Sequence, residues 1–525
     1  MNKLKSLFRW AAFFSIAVLL FAYGAVAENA SSNQNDDSGR RADLILIDTM
    51  KVFGELERPP VEFLHDRHTD ALQKQEKDCS VCHEKTDKGQ LIPKFKRRMD
   101  EDRKTTEDIY HENCIDCHKE MTGKVEKSGP VACGECHKEE PSFLSSRQPM
   151  GLDKYLHYRH VKAYDKEKKC ETCHHEYNKA TKQLLYVKDK EGSCRYCHKQ
   201  VTEENRMSMA LASHAACVNC HLDKASRKQD GGPVKCQGCH DLKSQKMFRE
   251  VFDVPRMDRK QPDTVLIKAG DETLDATVQS RMNFVPFDHK AHEGYNDTCR
   301  VCHHADISTC SKCHPLSGAK EGDGISLELA MHKDDAMQSC EGCHNAAKEN
   351  KECSGCHSFI SENRDVDTDS CLKCHMAQKE NTTENTKDKD DAISAMLLAS
   401  RNLSGENYTL SDIPEKVVIK KLSKKYEPAE FPHRQIVKKL VEDIKTNKIA
   451  AYFHAEKGTV CQGCHHNGPA TLTPTRCANC HNEPFNENDM HKPGLLGAYH
   501  RQCMECHDNI GLEKPAGCTG CHKEK

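Results

Sequence analysis

The sequence predicts a chain folded around covalently attached groups rather than around a hydrocarbon core. It would consist of tandem modules of about a hundred residues, with short helices, small two-stranded β elements and much irregular structure. Three observations predict this. All 32 cysteines fall into sixteen Cys-x-x-Cys-His motifs. Only 36% of the 525 residues are hydrophobic and 30% are charged, too little apolar surface to offset the entropy of ordering a conventional globule. Histidine-bearing openers followed by those motifs return along the chain, and an internal repeat of this kind governs the fold.

In chain order the motifs are Cys79, Cys82 and His83; Cys114, Cys117 and His118; Cys133, Cys136 and His137; Cys170, Cys173 and His174; Cys194, Cys197 and His198. They continue with Cys217, Cys220 and His221; Cys236, Cys239 and His240; Cys299, Cys302 and His303; Cys310, Cys313 and His314; Cys340, Cys343 and His344. The last six are Cys353, Cys356 and His357; Cys371, Cys374 and His375; Cys461, Cys464 and His465; Cys477, Cys480 and His481; Cys503, Cys506 and His507; Cys518, Cys521 and His522.

This is the c-type haem attachment signature. Two thiols one helical turn apart reach the vinyl edge of a porphyrin, and the adjacent imidazole meets the iron from one face. At this composition a given cysteine has both partners by chance with odds of roughly 0.004. Sixteen repeats are no accident. Zinc ribbons do not demand a histidine after every second cysteine, and disulfide scaffolds are usually short and vary their spacing. The expected cofactor is therefore sixteen covalently bound haem c groups with their iron.

Sixteen of the 32 histidines remain, one candidate distal ligand for each iron. They are His65, His68, His111, His157, His160, His175, His214, His289, His292, His304, His332, His433, His454, His466, His491 and His500. Porphyrins would supply the missing apolar bulk, so the apoprotein is expected to be largely unfolded. A formal charge of −3 gives no case for nucleic-acid binding. No catalytic residue is expected.

Residues 1–27 read as a secretory signal peptide, with Lys3, Lys5 and Arg9 ahead of an apolar run and Ala25-Val26-Ala27 as the cleavage site. No second stretch is apolar enough to span a bilayer, which places the mature chain in the periplasm. Residues 28–42 read as a flexible lead-in. Modules are expected over 43–141, 142–247, 248–362 and 406–525, with an isolated haem and a charged linker over 363–405. Each module should open on a short β-like run: VEFLHDRH at 61–68, KYLHYRH at 154–160, FVPFDHKAH at 284–292 and EPAEFPH at 427–433. Residues 434–447 look like an inserted amphipathic helix with Ile436, Val437, Leu440, Val441 and Ile444 on one face.

The phrase F-x-H-x-x-H, a Cys-x-x-Cys-His-His motif and a later histidine before the third motif resemble the tetrahaem cytochrome c3 family and its trihaem cytochrome c7 relative. Four copies in one exported chain look like the high-molecular-weight, sixteen-haem cytochromes c of sulfate-reducing bacteria. The resemblance implies a multihaem cytochrome fold of tandem c3-like modules, the first of them c7-like with three haems. It also implies distal pairings. For module one these are His65 with His83, His68 with His118 and His111 with His137. For module two they are His157 with His174, His160 with His221, His175 with His198 and His214 with His240. For module three they are His289 with His303, His292 with His344, His304 with His314 and His332 with His357.

Module four departs from the pattern, because Ile436 stands where the second histidine of H-x-x-H belongs. There the expected pairs are His433 with His465, His466 with His481, His500 with His522 and His454 with His507. His491 is left for His375. Met376 is set aside, since a residue next to the proximal histidine points away from its own iron.

An iron held by two imidazoles has no vacant position for a substrate, and nitrogen ligands lack the potential-raising effect of methionine. The expected protein is a low-potential electron carrier and not an enzyme. The resemblance implies a role in anaerobic sulfate respiration. Electrons would arrive from periplasmic hydrogenase through small tetrahaem cytochrome c3 and leave to a membrane-bound redox complex. The alternatives are a multihaem reductase with one open haem and a conduit to extracellular acceptors. The basic cluster from Lys416 to Lys448 reads either as a solvated helix face or as a docking patch for an acidic partner.

Overall fold

The computed structural model describes residues 39–124, 128–164, 169–203, 206–249, 253–268, 284–360, 368–376, 387–401, 409–420, 425–484, 486, 492–512 and 518–525. The signal peptide, most of the lead-in and His491 lie outside them. Among the described residues, no helix is long and apolar enough to cross a membrane. The chain divides into two compact units. The first comprises residues up to Cys173 together with Cys197–Val254, and the second His174–Tyr196 with Pro255–Lys525.

Regular structure is sparse, as the composition requires. Among the described residues every sheet has two strands, and the buried apolar side chains are few, Leu44, Leu64, Leu156, Leu266, Val441 and Val460 among them. In the first unit, strand Leu44–Ile47 runs antiparallel to Val61–Leu64. The end of the expected lead-in is structured: Arg40–Arg41 pairs in parallel with Leu144–Ser145, and Ala42 and Asp43 are buried.

Asp43 accepts from Arg41 at 2.8 Å and from the Asp66 amide at 3.1 Å. Asp66 in turn accepts from the amides of Cys236 and Gln237 at 2.9 and 2.8 Å. It thereby caps the short helix Cys236–His240 and complements its positive end. Burial works against the Asp66 carboxylate, but hydrogen bonds from His65, Gln237 and Cys236 outweigh it and hold the carboxyl below its usual range. A strand, a helix start and a distant Cys-x-x-Cys-His motif are tied together without an apolar core.

The openers are built as expected in three cases. Strands Val61–Leu64, Val285–Phe287 and Ala429–Phe431 each lead into a helix that starts at or near the first opener histidine, namely His65–Gln73, His289–Tyr295 and His433–Thr446. The second opener differs: Lys154–Tyr164 is helical throughout, begun by Asp153, whose carboxylate accepts from the Leu156 amide at 2.9 Å. Residues His433–Thr446 form the helix that the apolar stripe implied, with Val441 buried on its inner face.

In the second unit, strands Val265–Ile267 and Val285–Phe287 pair antiparallel. The charged run expected to be a linker proves partly ordered. Lys387–Ala399 is a helix packed on both strands, with Ser394 fully buried and donating to the Val265 carbonyl at 2.9 Å. Lys268 pairs with Asp390 at 2.7 Å across the same contact. Charge runs mislead here because Ser394 and the Asp390 ion pair face the strands.

Candidate haem-ligand site

One helix design carries two ligands at a time. Helix Arg103–Thr122, capped by Asp102 accepting from the Thr105 amide at 2.9 Å, places His111, Cys114, Cys117 and His118 along one stripe at helical spacing. The same order recurs in His214, Cys217, Cys220 and His221, where a π-helical turn spans His214–Val218, and in His500, Cys503, Cys506 and His507 on helix Leu495–Asn509. A π turn in a helix commonly marks a functional position.

Histidine rings meet in pairs. In the first unit the ring centroids of His65 and His83 are 6.3 Å apart, His68 and His118 6.1 Å, and His111 and His137 6.3 Å. His160 and His221 follow at 6.2 Å, and His214 and His240 at 6.1 Å. The second unit brings together His289 and His303 at 6.4 Å, His292 and His344 at 6.4 Å, and His304 and His314 at 6.0 Å. It also pairs His433 with His465 at 6.5 Å, His466 with His481 at 6.0 Å, and His500 with His522 at 6.0 Å. The second module's other histidines fall in different units, His157 and His198 in the first and His174 and His175 in the second.

Two expected pairings are overturned. His332 meets His375 at 6.0 Å rather than His357, and His454 meets His357 at 5.9 Å rather than His507. With His375 so partnered, the expected pairing of His375 with His491 also falls. The cause is visible in the backbone. In modules one, two and four the histidine three residues ahead of the second (module one) or third motif (modules two and four) shares its helix. In module three His332 precedes Cys340 by eight residues, and the chain breaks between helices Leu327–His332 and Cys340–Lys348. Met376, buried, donates its amide to the Phe284 carbonyl at 3.0 Å and so brings His375 back onto the module-three opener strand.

The separations fit a metal between each pair. A metal–imidazole bond of about 2.0–2.1 Å, with the ring centre about 1.1 Å beyond the nitrogen, gives trans rings about 6.2–6.4 Å apart. The observed pairs span 5.9 to 6.5 Å.

In many of the rings the free nitrogen is assigned by the other one. Distal histidines on helices hold the carbonyl one turn back through Nδ1: His68 to Leu64 at 2.8 Å, His160 to Leu156 at 2.7 Å, His292 to Asp288 at 2.7 Å and His454 to Ala450 at 2.9 Å. Proximal histidines reach a carbonyl further along: His118 to Pro130 at 2.7 Å, His221 to Pro233 at 2.8 Å and His481 to Pro493 at 2.7 Å. A carbonyl can only accept, so Nδ1 carries the proton and Nε2 is left as a lone-pair donor, the arrangement found around ligating histidines. Burial also lowers the proton affinity of His68, His83, His344 and His454, and brings His357 down to about 4. These imidazoles are neutral at physiological pH.

The thiols complement them. Burial pushes Cys114 and Cys356 up to about 11, and Cys236, Cys340 and Cys464 up to about 12. Such sulfurs resist ionisation, which suits a thioether better than a zinc thiolate. They also cluster between motifs. After burial, Cys464 responds most to Cys356, Cys506, Cys503 and Cys477, and Cys340 to Cys310, Cys374, Cys302 and Cys343. His65, Asp66 and Cys236 lie within 4.8 Å of one another, a grouping that the Asp66 cap accounts for.

Two residues escaped the sequence reading. A Cβ on Gly129 would stand 2.2 Å from His118 Cε1, and one on Gly232 2.1 Å from His221 Cε1. Only glycine lets the following proline carbonyl approach the imidazole. The signal was available, since Gly-Pro-Val-x-Cys precedes the motifs at both Cys133 and Cys236.

The comparisons agree with this geometry. The model of the Class III cytochrome C family matches residues 45–137, 141–240, 262–357 and 424–523. The high-molecular-weight cytochrome c of Nitratidesulfovibrio vulgaris strain Hildenborough is 42% identical over 543 residues, covering 99% of each chain. The crystal structure of the sixteen-haem cytochrome from Desulfovibrio gigas superposes with a TM-score of 0.83 at 38% identity, over 92% of this chain and 99% of that one. That of the high-molecular-weight cytochrome c from Desulfovibrio vulgaris (Miyazaki F) does so with a TM-score of 0.75 at 41% identity, over 94% and 100%.

Proposed function

The chain belongs to the class III cytochrome c family, and from that premise we propose that it is a periplasmic relay holding sixteen haem c groups, one at each Cys-x-x-Cys-His motif. It is an electron carrier with haem c as its cofactor. The observation that carries the fuller reading is the set of histidine pairs at 5.9 to 6.5 Å with Nδ1 engaged on carbonyls. Bound there, haem c would supply reversible one-electron exchange, held by the motif cysteines and by the two facing imidazoles of a pair.

The polypeptide does the rest. The cysteines of each motif fix the porphyrin edge, and the adjacent histidine and its partner fix the iron. The carbonyls that accept from Nδ1 hold each ring in one tautomer and raise its donor strength. Clusters such as Cys464 with Cys356 and Cys506, and Cys340 with Cys310 and Cys374, draw attachment points of different motifs together within the second unit. His454 adds a direct tie: it comes from module four and faces His357 of module three. The stretch around His375, expected to be isolated, joins module three through His332.

Electrons are proposed to enter from hydrogenase through small tetrahaem cytochrome c3 and to leave to a membrane-bound complex of sulfate respiration. Support comes from the family, the exported leader and the absence of catalytic residues in the sequence pattern. Carbon monoxide tests carrier against reductase. With both axial positions filled at nearly all irons, the reduced protein should bind it slowly at all but one or two haems. Rapid binding at many haems, or turnover of nitrite or sulfite at enzyme-like rates, would favour the reductase.

A further inference from the structure

We propose that the lysine-rimmed hairpin Glu176–Leu185 and the segment to Lys190 that follows it form a docking surface for a small acidic redox protein. The inference rests on the electron-carrier reading and names where one class of partner lands. Charge along the chain is uneven. Residues 142–247 hold eight more Lys and Arg than Asp and Glu, whereas 43–141 and 248–362 hold six and seven fewer. Haem propionates would be added to the three modules in similar number, three haems' worth in the first and four in each of the others, so the contrast persists in the mature protein.

The hairpin lies in this basic stretch, and its residues other than Asn178 are exposed. Strands Glu176–Asn178 and Gln183–Leu185 pair with Tyr177 opposite Leu184. Asn178 Oδ1 accepts from the amides of Ala180 and Thr181 at 2.9 and 3.2 Å, and Lys182 takes the left-handed conformation that closes the turn. The turn is therefore set by its own residues. Tyr177 is 48% exposed and Leu184 64%, an apolar pair at the centre of the patch. Lys179, Lys182, Lys188 and Lys190 are exposed around it, and among the described residues none of the four has an ion-pair partner. An apolar centre inside a charged rim is the usual anatomy of an interface.

The other basic region is different. Lys416 is paired with Glu430 at 3.0 Å, Lys438 with Glu442 at 3.9 Å, and Lys439 with Asp443. At least three of its nine lysines are thus answered within the chain, whereas among the described residues none of the four around the hairpin is. The hairpin also lies close to redox centres. Its first residue directly follows His174 and His175, and at about 3.3 Å per strand residue the turn at Ala180 stands within about 20 Å of both residues along the chain. A partner seated there would face the ends of two proposed ligand sets. Unpaired surface charge raises encounter rates and makes them fall with salt.

The test uses the full-length holoprotein and a reduced plant-type ferredoxin as the acidic probe, mixed by stopped flow across a salt series. Replacing Lys179, Lys182, Lys188 and Lys190 by Glu should lower the second-order rate at least about tenfold at low salt and flatten its salt dependence. The matching set Lys438→Glu, Lys439→Glu, Lys445→Glu and Lys448→Glu should change it less than about threefold. Equal losses in the two sets would show a net-charge effect and overturn the proposal, as would no loss in the hairpin set. Dithionite reduction of both variants tests the carrier reading separately. In the unaltered protein, ferredoxin should protect the four hairpin lysines from acetylation, a readout that needs no variant. Absence of protection would overturn the proposal. So would binding of the protein to phosphatidylserine vesicles through these lysines with ferredoxin rates unaffected by their reversal.

Discussion

Replacing His454 by Ala should convert one haem, the one on Cys353, Cys356 and His357, from six-coordinate low spin to five-coordinate high spin. The two rings lie 5.9 Å apart, and the Nδ1 bond from His454 to Ala450 aims the imidazole from the end of helix Lys448–Phe453. No other histidine is placed to substitute among the described residues. The oxidised variant should show a high-spin electron paramagnetic resonance signal of about one haem in sixteen that the parent lacks. Crystals soaked in imidazole should then show added density over the iron held by His357. Density over the iron held by His507 would restore the pairing that the sequence suggested, and no new high-spin signal would show that His454 ligates neither iron.

Gly129→Ala and Gly232→Ala should each cost about 2–4 kcal/mol, or release the proximal histidine behind them. The added Cβ would meet His118 Nε2 at 2.4 Å and His221 Nε2 at 2.5 Å. Neither ring can yield, since each is held through Nδ1 on a proline carbonyl. Denaturation midpoints of the holoproteins, with spectra for low-spin haem, check this. Gly294→Ala is the control, because nothing lies within 4 Å of its Cβ position. A Gly129 variant as stable and as fully low spin as that control would refute the cradle.

Much of the site was legible because haem attachment is written in contiguous residues. Eleven pairings anticipated from the family resemblance recur as ring pairs, including the three of the trihaem first module. The two that failed did so through spacing. His332 was treated as the counterpart of His111, His214 and His500, although eight residues rather than three separate it from the next motif. That difference breaks the helix, and a broken helix turns the ring to another neighbour. His454 matched His292 in standing seven residues before a motif, but its local register is the same for either partner. Helix His433–Thr446, about 20 Å long at 1.5 Å per residue, carries the chain to a destination that only tertiary structure reveals.

The fold was less legible than the site. Helix Lys387–Ala399 buries Ser394 against the Val265 carbonyl, and its charged first half masks the short apolar run from Ile393 to Leu398. Asp43 and Asp66 are buried near Cys236, and their partners lie far away in sequence. Both are cases where polar contacts do the work that apolar burial does elsewhere, and periodicity carries no signal for them.

The central claim is that every Cys-x-x-Cys-His motif carries a covalent haem. Intact-mass spectrometry of the mature, denatured protein tests it most directly. The account predicts the polypeptide mass plus sixteen haems, with no thiol reactive to alkylation. Fewer than fifteen haems in fully matured protein, or zinc in their place, would contradict it.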